Sequence, residues 1–307
     1  MSRTVIYSAL ILRNRPSKTA AVNHESNSEI FLLTAEEGII RATVYGGPKS
    51  KLRAHSAPYN SGKIWIYRDR AKEYAKLSDF DVQSWRPGLR ELYERTMAAG
   101  AIAETILSTH GGGGDWGIAL KLAEETLDAL ENASEELCPR ILVHFLWRWA
   151  DFLGIQPQID VCAGCGSTAL TPSASSDPMR QALTPTSSDP FWFSAEESAV
   201  YCEKCAYGSS SDPKQQALTP TSSSDPKRQA LTPSPSSDPK MLKISRLKIN
   251  RLRINHGCRR WLSVVGALEP AVLYRYSMDN RSFYDAKALV TAIMTEVLGK
   301  RLASWDW

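Results

Sequence analysis

The chain has 307 residues, of which 43% are hydrophobic and 23% are charged, and its formal net charge is +4. This composition is typical of a folded globular protein, and the length is enough for two or three domains of modest size. Because no stretch approaches the ~18 apolar residues of a membrane span, and residues 1–7 do not begin a signal peptide, we expect a cytoplasmic protein rather than a membrane or secreted one.

Charge is distributed unevenly along the chain. Residues 1–80 and 241–307 carry formal net charges of +6 and +7, whereas residues 81–160 carry −7 and residues 161–240 carry −2. This layout favours a polyanionic partner that contacts the two basic ends while the acidic middle faces away. An uneven spread of solvated charges is an equally good explanation.

The first 80 residues predict short strands. Runs rich in β-branched and apolar residues cover 4–12, 29–34, 39–45 and 63–68, and turns containing Gly, Asn or Pro separate them. We expect a small antiparallel barrel or sandwich, since closing a barrel removes the exposed edges of a few short strands.

The hydrophobic period changes to 3.6 residues from about Arg86. It predicts one helix over 89–106, a second over 116–130 and a third that begins at Pro139. The third helix is apolar almost all round, which is typical of the buried centre of a helical domain. Helical periodicity returns over 286–298.

A unit of 13 residues, rich in Ser, Pro and Asp, recurs within 169–190 and 208–240. A single Leu per unit cannot form a core, and the X-Pro steps oppose helices and strand ladders. We therefore predict two disordered surface insertions.

A basic run over residues 242–254 follows the second insertion. Parts of this run alternate like a strand, but its period of five residues fits neither a helix nor a strand, so we assign it no structure.

Two Cys-x-x-Cys pairs, Cys162 with Cys165 and Cys202 with Cys205, are the strongest motif. Each pair lets one tight turn direct two sulfurs at one point, and two pairs supply the four thiolates of a tetrahedral zinc site. The 36 residues between the pairs exceed the ~15–20 that are usual in zinc ribbons, but 14 remain once 169–190 is removed. The pattern predicts a structural zinc ribbon with the first repeat in its loop.

Other chemistry fits less well. Disulfides are not expected in a cytoplasmic protein. A redox-active Cys-x-x-Cys normally occurs once, near a βαβ pattern that is absent here, and no cluster motif supports an iron–sulfur centre. Cys138 and Cys258 stand alone and are interpreted as small buried side chains, and His144 on its apolar helix as a core residue. No hydrolase, metalloprotease or phosphate-loop motif occurs, so we expect no enzymatic activity.

A glycine-containing turn carries the cations Lys49, Lys51 and Arg53, and its backbone N–H groups could also bind phosphate oxygens. Arg13, Arg15, Lys18 and Arg41 could join them if the strands close as a barrel. Five aromatic residues offer stacking surfaces for unpaired bases: Tyr7, Tyr45, Tyr59, Trp65 and Tyr67. From this motif alone, a solvated basic loop beside core aromatics is slightly favoured over a DNA-binding site.

Taken in order, these motifs resemble the RecO family of bacterial recombination mediators. The matching stretches are residues 9–13, 31–38, 45–53, 145–148 with 153–154, 193–194 with the two cysteine pairs, and 298–306. The resemblance implies an α+β multidomain protein in which an N-terminal OB-fold β-barrel precedes an α-helical domain that a four-cysteine zinc ribbon interrupts. The expected boundaries are 1–80 for the OB-fold, 81–160 and 241–307 for the two parts of the helical domain, 161–207 for the ribbon and 208–240 for the second repeat.

The resemblance also implies a function. It implies binding to single- and double-stranded DNA, annealing of complementary strands, and partnership with RecR and single-strand-binding protein in helping RecA to load onto DNA. By motif position, Lys49, Lys51 and Arg53 would contact DNA, with Arg13 and Arg41 as further candidates. Two alternatives from other classes are a nuclease-like DNA-processing enzyme with a zinc ribbon and a protein-interaction scaffold without affinity for DNA.

Overall fold

The computed structural model describes residues 2–16, 27–46, 50–69, 71, 74–168, 170–171, 184–185, 190–207, 251–301 and 304. Its N-terminal strands are β1 (Ser2–Pro16), β2 (Ser28–Thr34), β3 (Gly38–Val44), β4 (Ser61–Asp69) and β5 (Tyr74–Ser84), and the short helix α1 (Lys51–His55) lies between β3 and β4. The strands close into a barrel in the order β1-β2-β3-β5-β4. A five-stranded barrel of this kind is the architecture of an OB-fold, as expected.

Strand β1 is covered on both of its faces over residues 9–12. Tyr7 and Ile11 pack inside the barrel, whereas Leu10 and Leu12 pack against the helical part of the molecule. Because alternate side chains of a strand point to opposite faces, a strand buried on both faces carries an uninterrupted apolar run instead of an alternating one. This explains the apolar run over residues 9–12 and shows that the barrel is joined to the helices by a shared core.

Residues 74–84, for which the sequence predicts no strand, form β5. Only two of its side chains, Leu77 and Phe80, are fully buried, and the register with β4 shifts between Trp65 and Ile66. A bulge at this point places two inward residues three positions apart, so the period of two is broken. The strand therefore depends on pairing with β4, and it extends to Ser84, beyond the predicted boundary at residue 80.

Three helices follow the barrel: α2 (Tyr93–Ser108), α3 (Trp116–Glu131) and α4 (Cys138–Phe152). Helix α4 contacts both of the others and is buried on most of its surface, which confirms the predicted central helix. Inside it, the rings of Phe145 and Trp149 stack with centroids 5.5 Å apart. The indole N–H of Trp149 donates to Thr109 Oγ1 over 3.1 Å, so the polar atom of this core residue is satisfied.

The ribbon follows α4. Two short strands inside the first repeat, β6 (Leu170–Thr171) and β7 (Thr184–Pro185), pair with each other. Next come β8 (Phe191–Ser194), β9 (Ala199–Cys202), helix α5 (Glu203–Tyr207) and, after the second repeat, β10 (Arg251–Ile254), and the three strands form a sheet in the order β10-β8-β9. The end of the basic run is thus the third strand of the ribbon. The second repeat, the rest of the first and residues 241–250 lie outside the described residues.

Two further helices, α6 (His256–Val265) and α7 (Asn280–Leu298), complete the helical part. His144 on α4 joins it to the region after α6, because its Nε2 lies 3.0 Å from the carbonyl oxygens of both Val265 and Leu268. Burial lowers the pKa of His144 to about 4, which confirms a neutral core residue. Cys138 and Cys258 are also buried, as predicted. Across the described part of the chain, no helix has both the length and the apolar character to cross a membrane.

Candidate functional site

Four cysteine sulfurs converge beside the ribbon sheet. The Sγ atoms of Cys162, Cys165, Cys202 and Cys205 all lie within 4.8 Å of one another, and those of Cys165 and Cys202 are 3.8 Å apart. A tetrahedral zinc ion with Zn–S bonds of about 2.3 Å requires sulfurs about 3.8 Å apart. The cluster therefore has the size of a site for one ion, and its cysteines are free thiols rather than disulfides.

The first pair of cysteines sits in a tight turn between Val161 and Thr168, which bridge each other. Within it, the N–H of Gly166 donates to the carbonyl oxygen of Cys162 over 2.9 Å, and Gly166 has a positive φ of 69° that favours glycine. Gly164 is required for a steric reason, because a Cβ atom at this position would lie only 3.0 Å from Cys205 Sγ. This turn can therefore approach the second pair of cysteines only with glycine at position 164.

The surroundings of the sulfurs favour thiolates at two of them. Burial raises the pKa of Cys162, but the backbone N–H groups of Cys202, Cys165 and Gly164 outweigh it and lower the pKa overall. Ser167 Oγ lies 3.1 Å from Cys165 Sγ and lowers the pKa of that thiol to about 6. Hydrogen bonding with Cys165 raises the pKa of Cys205 to about 12, so the cluster shares its protons. A cation bound by all four sulfurs would displace these protons.

The predicted DNA contacts lie on the barrel. Lys51 and Arg53 are exposed on α1, and Arg13 is exposed on β1. None of the ion pairs among the described residues involves these three cations. Lys49 lies outside the described residues, so its place relative to Lys51 stays a prediction.

Arg41, by contrast, has an acidic partner that the sequence does not reveal. Its guanidinium contacts Glu29 Oε1, and Arg15 Nη2 lies 2.6 Å from Glu29 Oε2. The Glu29 side chain is only 10% exposed, whereas that of Arg41 is 66% exposed. Burial raises the pKa of Glu29, but the two guanidinium groups outweigh it and lower the pKa overall. One buried carboxylate thus orients two arginines and cancels one of their charges.

Arg13 and Arg41 flank an aromatic residue on the outer face of β1, β2 and β3. The register pairs Arg13 with Phe31 and Phe31 with Arg41, so the three form a row across the strands. Arg15 adds its guanidinium 4.9 Å from the centre of the Phe31 ring. Phe31 is absent from the predicted site because residues 30–33 read as one apolar run, which conceals that this side chain points outward.

A cleft of about 380 Å³ opens on the barrel where β3 meets β5 through a single parallel pair, Thr43 with Lys76. Its lining residues are Glu37, Ile39, Ile40, Arg41, Arg68, Asp69, Tyr74 and Ala75. The guanidinium of Arg68 lies 2.6 Å from Glu37 Oε2 and 5.3 Å from the centre of the Tyr7 ring.

Tyr7 is buried, so the expectation that it stacks on a base is wrong. Tyr45 is 43% exposed and remains accessible.

Two comparisons with known proteins match this chain. The family described as "Recombination protein O C terminal" matches residues 90–220, which contain α2, α3, α4 and all four clustered cysteines. The chain is also similar to a protein named DNA repair protein RecO from Acaryochloris marina (strain MBIC 11017), with 26% identity over 194 residues. That match covers 62% of this chain and 59% of the relative's length. The chain is therefore similar to RecO proteins over its helical part and its ribbon, and it spans about three fifths of the length of the curated relative that it matches.

Proposed function

We propose that this protein is a recombination mediator in DNA repair. It binds single- and double-stranded DNA, anneals complementary strands and, with RecR, helps RecA to load onto DNA coated with single-strand-binding protein. The observation that carries DNA binding is the exposed basic surface of an OB-fold barrel, where Lys51, Arg53 and Arg13 have no ion-pair partner among the described residues. The name of the A. marina relative, DNA repair protein RecO, supports the biological role.

The mechanism needs no bond to be made or broken. Lysine and arginine side chains that neutralise phosphates release the counterions condensed on the DNA, which drives binding. On two complementary strands the same neutralisation lowers their mutual repulsion, and aromatic side chains hold the bases unpaired until they meet. On the barrel, Phe31 is partly exposed and lies beside Arg13, Arg15 and Arg41, and Tyr45 is 43% exposed.

Replacing Lys51 and Arg53 together by alanine is expected to weaken binding to single-stranded DNA and to make it less sensitive to salt. Each lost phosphate contact reduces the slope of log affinity against log salt by about 0.7, so the double variant should lose about 1.4. The measurement is fluorescence anisotropy of a labelled oligothymidylate over a series of NaCl concentrations. The matched control changes Lys121 and Arg281, two exposed cations of the helical part, to alanine. Equal slopes for all three proteins would contradict the assignment.

The same preparations separate the mediator from the other two functions. Annealing of complementary strands coated with single-strand-binding protein, with the strand lengths intact after incubation with Mg²⁺, is the result expected of a mediator. Shortened strands would instead reveal a nuclease. A chain that retards no oligonucleotide at low salt would be a scaffold without affinity for DNA, and the proposal would be wrong.

We further propose that Cys162, Cys165, Cys202 and Cys205 hold one structural zinc ion. The sulfur spacing supports this, as does the N–H of Cys202, which donates to Cys162 Sγ over 3.2 Å and would orient it as a ligand. Four thiolate ligands leave no open position for water, so zinc here would stabilise the ribbon and take no part in catalysis.

Metal analysis of the protein purified without chelator is expected to find about one zinc per chain, because one tetrahedral ion uses all four sulfurs. Iron in place of zinc, with the visible absorption of an iron–sulfur cluster, would contradict the proposed ion while keeping the site. A chain that is folded and holds no metal would contradict the site itself.

A further inference from the structure

The outward face of the ribbon sheet carries a line of aromatic and cationic side chains. The register pairs Arg253 of β10 with Trp192 of β8, and Trp192 with Tyr201 of β9. Residues paired across neighbouring strands project from the same face, so these three side chains form a row across the sheet. The opposite face supplies the buried side chains of the ribbon: Phe191, Phe193, Val200 and Ile254.

Helix α5 extends this row at the end of the sheet near the cysteine cluster. The ring of Tyr207 meets that of Trp192 edge to face, with centroids 4.8 Å apart and planes at 85°. Tyr207 is 65% exposed, and Lys204 on the same helix is also exposed. We call Trp192, Tyr201, Lys204, Tyr207 and Arg253 the ribbon patch.

The patch contains two exposed cations, Lys204 and Arg253. Neither Arg253 nor Lys204 takes part in an ion pair among the described residues. A third cation, Arg251, places its guanidinium 5.4 Å from the centre of the Tyr201 ring. Two acidic residues, Glu196 and Glu197, lie in the β8–β9 turn, where Glu197 hydrogen-bonds the side chain of Tyr201, and Glu203 lies beside Lys204.

Core packing accounts for Tyr201, which packs against the large apolar core, but it does not account for Tyr207, Lys204 and Arg253, which are exposed. Exposed aromatic rings interleaved with unpaired cations are the two elements of a surface for single-stranded nucleic acid: bases stack on the rings, and lysine or arginine tracks the phosphates. A duplex keeps its bases stacked internally and would use the cations alone.

We propose that the ribbon patch is a second binding surface for single-stranded DNA, separate from the barrel. The inference rests on the proposed DNA-binding function and adds to it a contact on the metal ribbon. Bases stack on Tyr207 and on the accessible part of Trp192, and Arg253 and Lys204 contact the adjacent phosphates.

The test compares the native chain with a double variant, Tyr207→Ser with Arg253→Gln. Trp192 is kept because it is partly buried and its loss could disturb the sheet. The matched control is Tyr284→Ser with Arg281→Gln on α7, where Tyr284 is 65% exposed like Tyr207 and Arg281 is exposed. The probe is an oligothymidylate of about 30 nucleotides, longer than the ~4–16 that one OB-fold covers, and a duplex of the same length.

The ribbon variant is expected to bind the single strand at least about fivefold more weakly than the native and control proteins, since one lost base–aromatic stack weakens binding roughly five- to 150-fold. Its affinity for the duplex should fall less, because only the Arg253 charge contributes there. Single-strand affinity equal to that of the native chain would overturn the ribbon patch, even if the barrel variant of Lys51 and Arg53 binds weakly. A native chain that binds no oligonucleotide would instead overturn the proposed function itself.

Photo-cross-linking provides a second readout that needs no variant. Native protein bound to a bromodeoxyuridine-substituted single strand is expected to yield cross-links in the peptides that contain Trp192 and Tyr207. Cross-links confined to the barrel strands would overturn the proposal. Metal content shows whether the ribbon variant is folded. If the variant holds no metal, its weaker binding is disregarded and the cross-links of the native protein test the proposal.

Discussion

Replacing Cys162 by serine is expected to abolish metal binding and to unfold the ribbon while the barrel stays folded. Cys162 is the one buried sulfur among the four, and it belongs to the apolar core that the ribbon shares with the helices. Its Sγ also accepts the N–H of Cys202, which begins the second half of the site. Zinc binding contributes about 10–16 kcal/mol to the folding of small zinc domains, so losing a ligand removes far more than the ribbon's short strands can supply.

Metal content and hydrogen exchange measure this outcome. Zinc should fall well below one per chain, and amides of residues 161–168 and 190–207 should lose protection, whereas those of the barrel should keep it. The matched control is Cys138→Ser, since Cys138 is buried outside the cluster and donates to the carbonyl oxygen of Ser134. A hydroxyl can make the same bond, so this variant should keep its zinc. A fully metallated Cys162→Ser protein would refute the four-cysteine site.

Replacing Arg86 by methionine is expected to lower the free energy of unfolding by about 2–4 kcal/mol. The guanidinium lies where the barrel meets the helices and is 1% exposed. It donates to the carbonyl oxygen of Tyr59 over 2.7 Å, to Ser61 Oγ over 3.0 Å and to Asp128 Oδ1 over 2.6 Å. The Asp128 side chain is 57% exposed and can be rehydrated, so most of the loss comes from the two barrel oxygens that become unsatisfied.

Urea denaturation followed by tryptophan fluorescence measures the change as a lower midpoint. Arg86 has a left-handed backbone with a φ of 45°. Methionine is also a non-glycine residue and fills most of the same volume, so the change in stability reports the loss of the guanidinium. The control is Arg90→Met: Arg90 is exposed and donates a hydrogen bond to the carbonyl oxygen of Pro58, so its loss should cost within about 0.5 kcal/mol. Equal midpoints for the two variants would show that Arg86 does not hold the junction.

Much of the architecture is predictable from local patterns. Helix α4 is recognisable because an apolar surface on nearly every side of a helix can only be buried. The four-cysteine cluster is recognisable because each Cys-x-x-Cys turn is a local motif, and an insertion between the two turns costs little in loop-closure entropy. Strand β5 is not, since its bulge hides the alternation and its pairing with β4 supplies most of its stability.

The surfaces proposed to bind DNA depend more strongly on the tertiary structure. A sequence shows that Arg41 is basic, but only the barrel brings Glu29 and Arg15 to it and so halves the charge that the pair of arginines presents. The ribbon patch is likewise invisible in the sequence, because Arg253 is separated from Trp192 by 60 residues and meets it only when β10 joins the sheet.

The amino-acid sequence by itself determined the elements whose signals are local: the barrel strands β1 to β4, the helices around α4 and the two cysteine pairs of the cluster. The tertiary structure decided which charged side chains are cancelled and which remain free, because an ion pair depends on the distance between residues that are remote in the chain. It also decided that the basic run ends as a strand of the ribbon, since a strand is stabilised by its neighbours rather than by its own residues.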